Sequence, residues 1–281
     1  MVIYPEKLTH KEYDNVLKQL HSMLLNVALE IKRICDENNI SYFLIGGSLL
    51  GAVRHQGFIP WDDDMDIGFL REDYEKFLIL CNTELNEKYE LITTKKPNYG
   101  LPFSKIQIKD TLFKEKGAPE CNSENGIYVD IFPVDRYPDT FFDRKIHGIQ
   151  VLLLRYALLK KCDYQAVKNG IDLKKVIGNT YTAIHSKEYI VKKIHSVATK
   201  YNDKNTKYFY TTGSAYPYGK EIFPQKCFEG QLEEVLFEGI MFKCPHFKEQ
   251  ILEHMYGDYM KLPPQEKRYN RHGVIAIDFG K

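Results

Sequence analysis

IGGSLLGAVRHQGFIPWDDDMDIGF, residues 45–69, is the most informative segment of this 281-residue chain. It turns at a Gly-Gly-Ser sequence (46–48) and closes on alternating carboxylates at Asp62, Asp64 and Asp66. Successive side chains of a β-strand point to opposite faces, so we predict that these carboxylates share one side of a strand. Like charges held together repel, and a divalent cation is the simplest ligand that makes the arrangement favourable.

The acidic run also indicates which cation and which chemistry. Hard oxygen ligands suit Mg²⁺ (or Mn²⁺), and Mg²⁺ keeps coordination positions for water and substrate phosphate. A short Asp-x-Asp pair at a strand end therefore favours phosphoryl or nucleotidyl transfer. A calcium loop of the EF-hand kind needs Gly and Glu where this sequence has Ile67 and Asp73, which makes that reading a poor fit. The alternative to a metal site is a solvated acidic turn.

The Gly-Gly-Ser turn follows a short apolar run that we predict as a buried strand, Tyr42–Ile45. Gly46 and Gly47 let the backbone turn and approach a ligand, and Ser48 is a candidate N-cap for a short helix, Leu49–Arg54. The N-terminus of that helix would present N–H groups to an anion. A Gly-Gly-Ser sequence alone is most often only a loop.

Three segments together resemble the LicD family of phosphocholine transferases, which is similar to the fukutin-related phosphotransferases of glycan synthesis. They are GGSLLGAVRHQGFIPWDDDMDI (46–67), GIYVDIFPVD (126–135) and MYGDYMKLPPQEKR (255–268). They lie in this order over about 220 residues. The family belongs to the nucleotidyltransferase superfamily, and the resemblance implies that fold.

Periodicity supplies the remaining elements. The spacing of apolar residues predicts helices over Tyr13–Glu37, Arg71–Asn82, Phe142–Lys161, Lys187–Lys200 and Phe247–Tyr256. Further strands are predicted over Phe103–Ile108, Thr111–Glu115 and Ile127–Phe132. We predict an α/β (α+β) protein with a small mixed sheet of nucleotidyltransferase type and added helices. Residues 1–281 would form a single LicD-like catalytic domain, its core about 40–135 and its helical and C-terminal additions 136–281.

Two segments of the second half allow more than one interpretation. In the helix Phe142–Lys161 we expect the face of Ile146 and Ile149 to pack on a core, with a helix lying on a membrane surface as the alternative. The aromatic, turn-rich segment Tyr201–Pro224 is predicted as half-buried loop, and its tyrosines are alternative pocket-lining residues.

Composition limits the class of protein. Charged residues make up 27% and the formal net charge is +1, so the chain lacks the global basic field of nucleic-acid binders. The six cysteines include no Cys-x-x-Cys pair and are predicted to be reduced core thiols. The first ten residues lack an apolar signal region, and no apolar run is long enough to span a bilayer. We predict a cytoplasmic location, or one at the inner face of the membrane.

A third carboxylate comes from the strand Ile127–Phe132. Tyr128, Asp130 and Phe132 share one of its faces, so a neighbouring strand could deliver Asp130 beside the acidic run. Carboxylates from two adjacent strands are what a two-metal phosphoryl-transfer site needs. Without the resemblance an ordinary edge-strand carboxylate explains Asp130 equally well; Asp135 follows Pro133 in a predicted turn and is the weaker candidate.

The resemblance assigns roles to these residues. Asp64, Asp66 and Asp130 would bind Mg²⁺ (or Mn²⁺), and Asp130 would also be a candidate base for the acceptor hydroxyl. Arg54 would bind a phosphate oxygen, or alternatively form a salt bridge with the acidic run. The predicted substrate-binding residues are Gly46, Gly47, Ser48, Arg54, Lys105, Arg268 and His272.

The last of these residues lie in the segment Tyr256–His272. We predict that it contributes Arg268, Arg271 and His272 to the active site; the alternative is that Gly257 ends a helix and the arginines are solvated.

The implied reaction is transfer of phosphocholine, or a related phospho-alcohol, from a CDP-activated donor to a hydroxyl of a glycan or lipid-linked glycan acceptor. CDP-choline is the commonest donor of the family, and peripheral contact with the membrane would suit such acceptors. Two alternatives remain: a nucleotidyltransferase that uses an NTP and releases pyrophosphate, and a non-catalytic binding protein on the same fold.

Overall fold

A computed structural model describes residues 1–119, 125–164, 173–270 and 272–280, with the backbone alone of residues 173–177. The helices are α1 (His10–Glu37), α2 (Gly46–His55), α3 (Arg71–Glu84), α4 (Phe141–Lys161), α5 (Leu173–Ile184), α6 (Lys187–Ala198) and α7 (Lys248–Tyr256). The strands are β1 (Phe43–Leu44), β2 (Asp66–Leu70), β3 (Tyr89–Ile92), β4 (Ser104–Ile108), β5 (Leu112–Glu115), β6 (Tyr128–Tyr137), β7 (Tyr208–Thr211), β8 (Ile222–Pro224), β9 (Glu233–Phe237), β10 (Ile240–Cys244) and β11 (Val274–Asp278). This mixture confirms the predicted α/β class.

The central sheet has the order β1-β2-β6-β4-β3, with β7 pairing to the later part of β6 and β8 to β7. Strands β2 and β6 run parallel, and their register sets Asp66 beside Asp130. On its other side β6 runs antiparallel to β4, which sets Lys105 beside Asp130. One row across three strands therefore carries two carboxylates and an ammonium group.

Helix α1 begins three residues before the predicted start, because its capping signal precedes its first apolar residue. The Thr9 Oγ1 accepts a hydrogen bond from the Glu12 N–H (3.3 Å), and Glu12 Oε2 accepts one from the Thr9 N–H (2.8 Å). This capping box supplies partners for N–H groups that the first helical turn leaves open. Leu17, Leu20 and Leu24 then bury one side of the helix.

Asp135 lies inside β6 rather than in a turn, so that prediction was wrong. The strand continues through Pro133, whose carbonyl accepts a hydrogen bond from the Thr212 N–H (3.0 Å). Asp135 is fully buried and is held by the Arg71 guanidinium, with Nη2–Oδ2 at 2.6 Å and Nε–Oδ1 at 2.8 Å. The Asn202 amide donates a further bond to Asp135, at 2.7 Å. Asp135 and Arg71 thus form a structural ion pair outside the acidic run.

The segment predicted as loop, Tyr201–Pro224, contributes β7 and β8 to the sheet. Its apolar Phe209 and Phe223 are buried between neighbouring elements, and this packing outweighs the turn-rich composition of the segment. Tyr210 and Tyr218 pack with His147 in an aromatic cluster, whereas Tyr216 faces a cleft.

Helix α4 buries a different face from the one predicted. Ile146 and Ile149 are 43% and 66% exposed, because α5 and α6 pack against the opposite side of the helix. The buried residues of α4 are His147, Gly148, Leu154, Ala157 and Leu158.

Buried apolar residues form one main cluster, which draws on elements from α1 to β11, and a smaller one between α4 and α6. The cysteines of the described residues are buried free thiols, as predicted for them: Cys35, Cys81, Cys162, Cys227 and Cys244. Cys121 lies outside the described residues. Among the described helices, none has both the length and the apolar content needed to cross a bilayer.

Candidate active site

A cleft of about 380 Å³ receives side chains from both halves of the chain. The acidic run and the sheet supply one wall, and α4, the segment after β7, α7 and the C-terminal segment supply the others. The ionisable groups that line it, apart from tyrosines, are Asp62, Asp64, Asp66, Lys105, Glu115, Asp130, Arg155, Glu221 and His272.

The acidic run keeps its predicted alternation without being a continuous strand. Asp62, Asp64 and Asp66 line the cleft, and Asp63 points away from it. Strand β2 begins only at Asp66, so the prediction of a strand over the whole run was wrong. The carbonyl of Asp62 is engaged by the His21 side chain (2.7 Å), which replaces a strand-to-strand hydrogen bond at that point.

Glycine is needed at the first turn of α2 because two carboxylates lie against its backbone. Gly46 has φ +54°, and a Cβ atom there would lie 2.9 Å from Asp66 Oδ2. A Cβ atom on Gly47 would lie 2.9 Å from Asp62 Oδ2. Residues with side chains would push the carboxylates out of position, which is why the turn is Gly-Gly.

Ser48 lies within the first turn of α2, so its prediction as N-cap was wrong; Ile45 occupies that position. The Ser48 hydroxyl Oγ accepts a hydrogen bond from the Asp66 N–H (2.8 Å) and so fixes the start of β2. Of the Gly-Gly-Ser residues, Gly47 lines the cleft. The first N–H groups of a helix have no intrahelical partner, so this end of α2 remains suited to an anion.

Asp130 reaches the cleft from β6, beside Asp66. Its Oδ1 lies 3.5 Å from Lys105 Nζ, and that ammonium lies 3.2 Å from the centroid of the Tyr128 ring. Asp130 Oδ1 is buried and accepts no hydrogen bond from the described part of the chain. A buried carboxylate oxygen without a hydrogen-bond donor is the kind of group that a metal ion satisfies.

Burial raises the pKa values of the cleft carboxylates. It raises the pKa of Asp64 to about 6, with Asp63 and Asp130 adding to the rise and His272 opposing it. Burial likewise raises the pKa of Asp130 to about 6 against the opposing charge of Lys105. Burial and the charges of Asp64 and Asp130 hold the pKa of Asp66 well above its usual range. Ionising these carboxylates together therefore costs free energy when no cation is present. A cluster of this kind favours binding of Mg²⁺ or Mn²⁺.

His272 brings the C-terminal segment to the acidic run. Its Nδ1 is hydrogen-bonded to the Asp63 carboxylate, and its Nε2 lies 3.4 Å from Asp64 Oδ2. Burial lowers the pKa of His272, but the hydrogen bond to Asp63 and the charges of Asp64 and Asp63 outweigh it and raise the pKa to about 11. Ligand atoms of Asp62, Asp64 and His272 all lie within 4.8 Å of one another. Asp62, which was not among the predicted metal ligands, therefore approaches Asp64 closely enough to share an ion.

The two predicted arginines lie outside the cleft lining. Arg268 Nε donates to the Pro263 carbonyl (2.7 Å), and its guanidinium lies 5.1 Å from the Trp61 ring centroid. Arg54 Nη1 donates to the Tyr259 carbonyl (2.8 Å), and its guanidinium lies 5.9 Å from the same ring. Arg271 lies outside the described residues. The structure therefore brings His272 to the acidic run and sets Arg54 and Arg268 around Trp61.

Arg155 is a cleft residue that sequence reasoning missed. Its Nη1 donates to the Ser214 carbonyl, and among the described residues no carboxylate lies within ion-pair distance of it. Burial lowers the pKa of Arg155. Its one sequence signal is a cation inside the apolar run Leu152–Leu159, where a buried charge would need a partner.

Glu221 is a second cleft residue that sequence reasoning missed, whereas two tyrosines that line the cleft come from segments that the sequence had singled out. Burial raises the pKa of Glu221, which is enclosed beside Gly46. The Tyr216 and Tyr256 hydroxyls are 2.5 Å apart, and their rings meet at 77° with centroids 5.9 Å apart. Glu221 and Tyr216 come from the segment between β7 and β8, and Tyr256 comes from the end of α7. The sequence offered the two tyrosines as candidates, but it could not show that they meet.

Comparison with known proteins concerns the part of the chain that carries the acidic run. Residues 39–150 match a family model described as LicD/FKTN/FKRP, nucleotidyltransferase domain, which confirms the resemblance found in the sequence. That range contains the acidic run and Asp130.

Of two similar proteins, the first extends the likeness beyond that domain. The chain is 29% identical over 264 residues to the lipopolysaccharide cholinephosphotransferase LicD of Haemophilus influenzae, covering 91% of this chain and 96% of that protein. It is 44% identical over 50 residues to the ribitol 5-phosphate transferase FKRP of Homo sapiens, covering 18% of this chain and 10% of that protein. Both relatives are named as transferases of a phosphate-linked alcohol.

Proposed function

We propose, from the premise that this chain carries a LicD/FKTN/FKRP nucleotidyltransferase domain over residues 39–150, that it is a metal-dependent phosphotransferase. It would move phosphocholine, or a related phospho-alcohol, from a CDP-activated donor to a hydroxyl of a surface-glycan precursor such as lipopolysaccharide, teichoic acid or capsule. The observation that carries the proposal is the parallel β2–β6 register, which sets Asp66 beside Asp130 in the cleft that also receives Asp64.

The residues present fit a divalent cation. Asp64, Asp66 and Asp130 offer oxygen ligands with raised pKa values, and Asp62 is close enough to join them. Such an ion, when bound, neutralises the donor diphosphate and the charge that develops in phosphoryl transfer. Before it binds, His272 partly offsets the charge of Asp63 and Asp64, so binding the ion would change the role of that side chain.

The reaction would be a displacement at the phosphorus that carries the alcohol. The acceptor oxygen forms the new P–O bond, the bond to the CMP oxygen breaks, and CMP leaves. The acceptor proton passes to a cleft carboxylate, a role that we assign to Asp130 because β6 brings it into the cleft beside Asp66. Little covalent chemistry is required of the protein, so positioning and charge stabilisation supply most of the rate.

Three groups on the cleft wall suit the donor phosphates. The N-terminus of α2 reaches the cleft at Gly47, and Lys105 lies beside Asp130. Arg155, on α4, lines the wall opposite the acidic run. A guanidinium with no carboxylate partner in the described residues can give its remaining N–H groups to a phosphate. We therefore place the diphosphate between the carboxylates and Arg155.

Arg155 provides the first test of this placement. Arg155→Ala should raise the donor KM about 10- to 100-fold, since a hydrogen bond to a charged group contributes about 1.5–3 kcal/mol. Arg155→Lys should recover only part of the loss, because an ammonium lacks the planar fork. Lys160→Ala, an exposed change on the same helix, is the matched control. Unaltered donor KM in a folded Arg155→Ala variant, with folding checked by thermal melting, would remove Arg155 from the donor site.

The cleft also offers a place for a cationic head group. Tyr216 and Tyr256 present two rings nearly at right angles, and the buried Glu221 carboxylate acts electrostatically on both. Aromatic faces with an adjacent acid attract a quaternary ammonium. This arrangement favours choline over glycerol or ribitol as the donor's alcohol.

A screen of donors tests the function directly. Purified protein is incubated with Mg²⁺, a glycan acceptor and CDP-choline, CDP-glycerol or CDP-ribitol, and CMP release is measured; CTP with pyrophosphate detection runs in parallel. We expect metal-dependent CMP release, greatest with CDP-choline. Pyrophosphate release from CTP alone would identify a nucleotidyltransferase instead, and metal binding without turnover of any donor would identify a binding protein.

A further inference from the structure

Helix α4 carries an exposed apolar stripe that the catalytic cleft does not use. Its side chains are Phe141 (74% exposed), Phe142 (75%), Ile146 (43%), Ile149 (66%) and Leu152 (56%). From Phe142 onward they recur at three- to four-residue steps, and with the adjacent Phe141 they lie along one side of the helix over about 17 Å. Contiguous exposed apolar patches of this kind mark interaction sites, whereas single exposed apolar residues are normal.

The charge of the chain is distributed unevenly around this stripe. Residues 141–204, which contain α4, α5 and α6, have 13 Lys and Arg against 5 Asp and Glu, a net charge of +8. The rest of the chain has 26 against 33, a net charge of −7. The near-neutral total therefore conceals one strongly basic helical region, which suits an anionic partner.

Several cations lie at the aromatic end of the stripe. Lys145 Nζ lies 5.3 Å from the Phe141 ring centroid. The pKa of Asp143 is held below its usual range, mainly by the Thr140 hydroxyl, with the charges of Lys200 and Lys204 adding to the effect, so both lysines lie near this helix end. Aromatic side chains flanked by lysines are the composition of helices that bind in the plane of a membrane surface.

We propose that α4, through the stripe Phe141–Leu152 and the cations around it, docks on the surface of a bilayer that contains anionic lipids. The apolar side chains enter the boundary between head groups and acyl chains, and the lysines contact lipid phosphates. An anionic bilayer matches both the exposed apolar stripe of α4 and the net charge of +8 of the helical region, residues 141–204, that contains it. The inference stands on the exposure and charge of α4, independently of the proposed reaction.

The position of the cleft gives this docking a consequence for the acceptor. Leu152 ends the stripe, and Arg155, three residues further along α4, lines the cleft. Residues three apart are neighbours on a helix surface. The bilayer surface would therefore meet the protein beside the cleft, where the glycan of a lipid-linked acceptor could enter it.

Vesicle co-sedimentation tests the proposal with the full-length chain. Vesicles of phosphatidylcholine alone are compared with vesicles of phosphatidylcholine and phosphatidylglycerol in equal amounts. We expect the protein to pellet with the mixed vesicles only, and less so as salt is raised. Phe141→Ser with Phe142→Ser should weaken binding about tenfold or more, and Lys200→Glu with Lys204→Glu should do the same, since each charge near the surface changes affinity about fivefold. Ile79→Ser, a change of an equally exposed aliphatic residue on α3 (68% exposed), is the matched control and should bind like the native chain.

Three results would overturn the proposal. One is a native chain that is found only in the supernatant with mixed vesicles. Another is replacement of the aromatic pair without loss of vesicle binding. A third result is self-association: a native dimer in analytical ultracentrifugation that becomes monomeric with Phe141→Ser and Phe142→Ser, and never binds vesicles, would make this face an interface between two copies of the chain.

Discussion

Asp64→Asn and Asp66→Asn should each lower metal-dependent CMP release about 1000-fold or more without unfolding the protein. Each substitution removes a charged ligand of the proposed ion while keeping the shape of the side chain, and the ion supplies much of the transition-state charge stabilisation. Burial and neighbouring carboxylates already disfavour the ionised forms of these acids. We therefore expect metal-free melting temperatures no lower than that of the native chain.

Paired measurements of turnover and melting temperature check this result. Asp203→Asn, an exposed acid-to-amide change, is the control and should leave both quantities unchanged. Near-native turnover and metal dependence in either cleft variant would show that the acidic run is not the metal site. Loss of turnover together with loss of the folded state would leave the two effects unseparated, so Asp130→Asn, from the neighbouring strand, is measured alongside them.

Arg71→Ala should destabilise the protein by about 3–5 kcal/mol, because it leaves the Asp135 carboxylate buried without its ion-pair partner. Asp135 is fully buried, whereas the second partner of Arg71, Glu75, is 48% exposed. Glu75→Ala should therefore change stability by no more than about 0.5 kcal/mol. Urea unfolding of the three proteins measures the difference.

The same pair makes stability depend on pH with a defined sign. Burial raises the pKa of Asp135, but the Arg71 charge and the hydrogen bonds from Arg71, Thr212 and Asn202 outweigh it, so the pKa lies below its usual value. The contribution of a carboxylate with a lowered pKa is present above its unfolded pKa of about 4 and is lost as pH falls through its folded value. The stability gap between the native chain and Asp135→Asn should narrow below about pH 4; a gap independent of pH would contradict this role for the pair.

Local sequence predicted the carboxylates of the site. The acidic run and the strand that carries Asp130 occur in motif order, and the alternation of each decides which carboxylates face the cleft. Ser48 and Asp135 were misplaced by a few residues, because cap and turn signals are weaker than the tertiary contacts that fix Gly46 against Asp66 and Arg71 against Asp135.

The opposite wall of the cleft could not be predicted in this way. Arg155 comes from α4, Tyr216 and Glu221 come from the segment between β7 and β8, and Tyr256 comes from α7. Only the folded chain brings these three parts together. For the same reason a cation near the motif in sequence need not reach the cleft. Arg54 and Arg268 both pack around Trp61, and each donates a hydrogen bond to a backbone carbonyl there.

Trp61 is the single tryptophan of the chain, directly before Asp62 and 8% exposed. Its indole lies between two guanidinium groups and adjoins the acidic run. It is therefore an intrinsic fluorophore where the proposed ion would change the electric field around it. Its emission reports on this region alone, without a label and without turnover. Titration of a divalent cation into the purified protein can therefore be followed optically, and occupancy of the acids can be measured separately from catalysis.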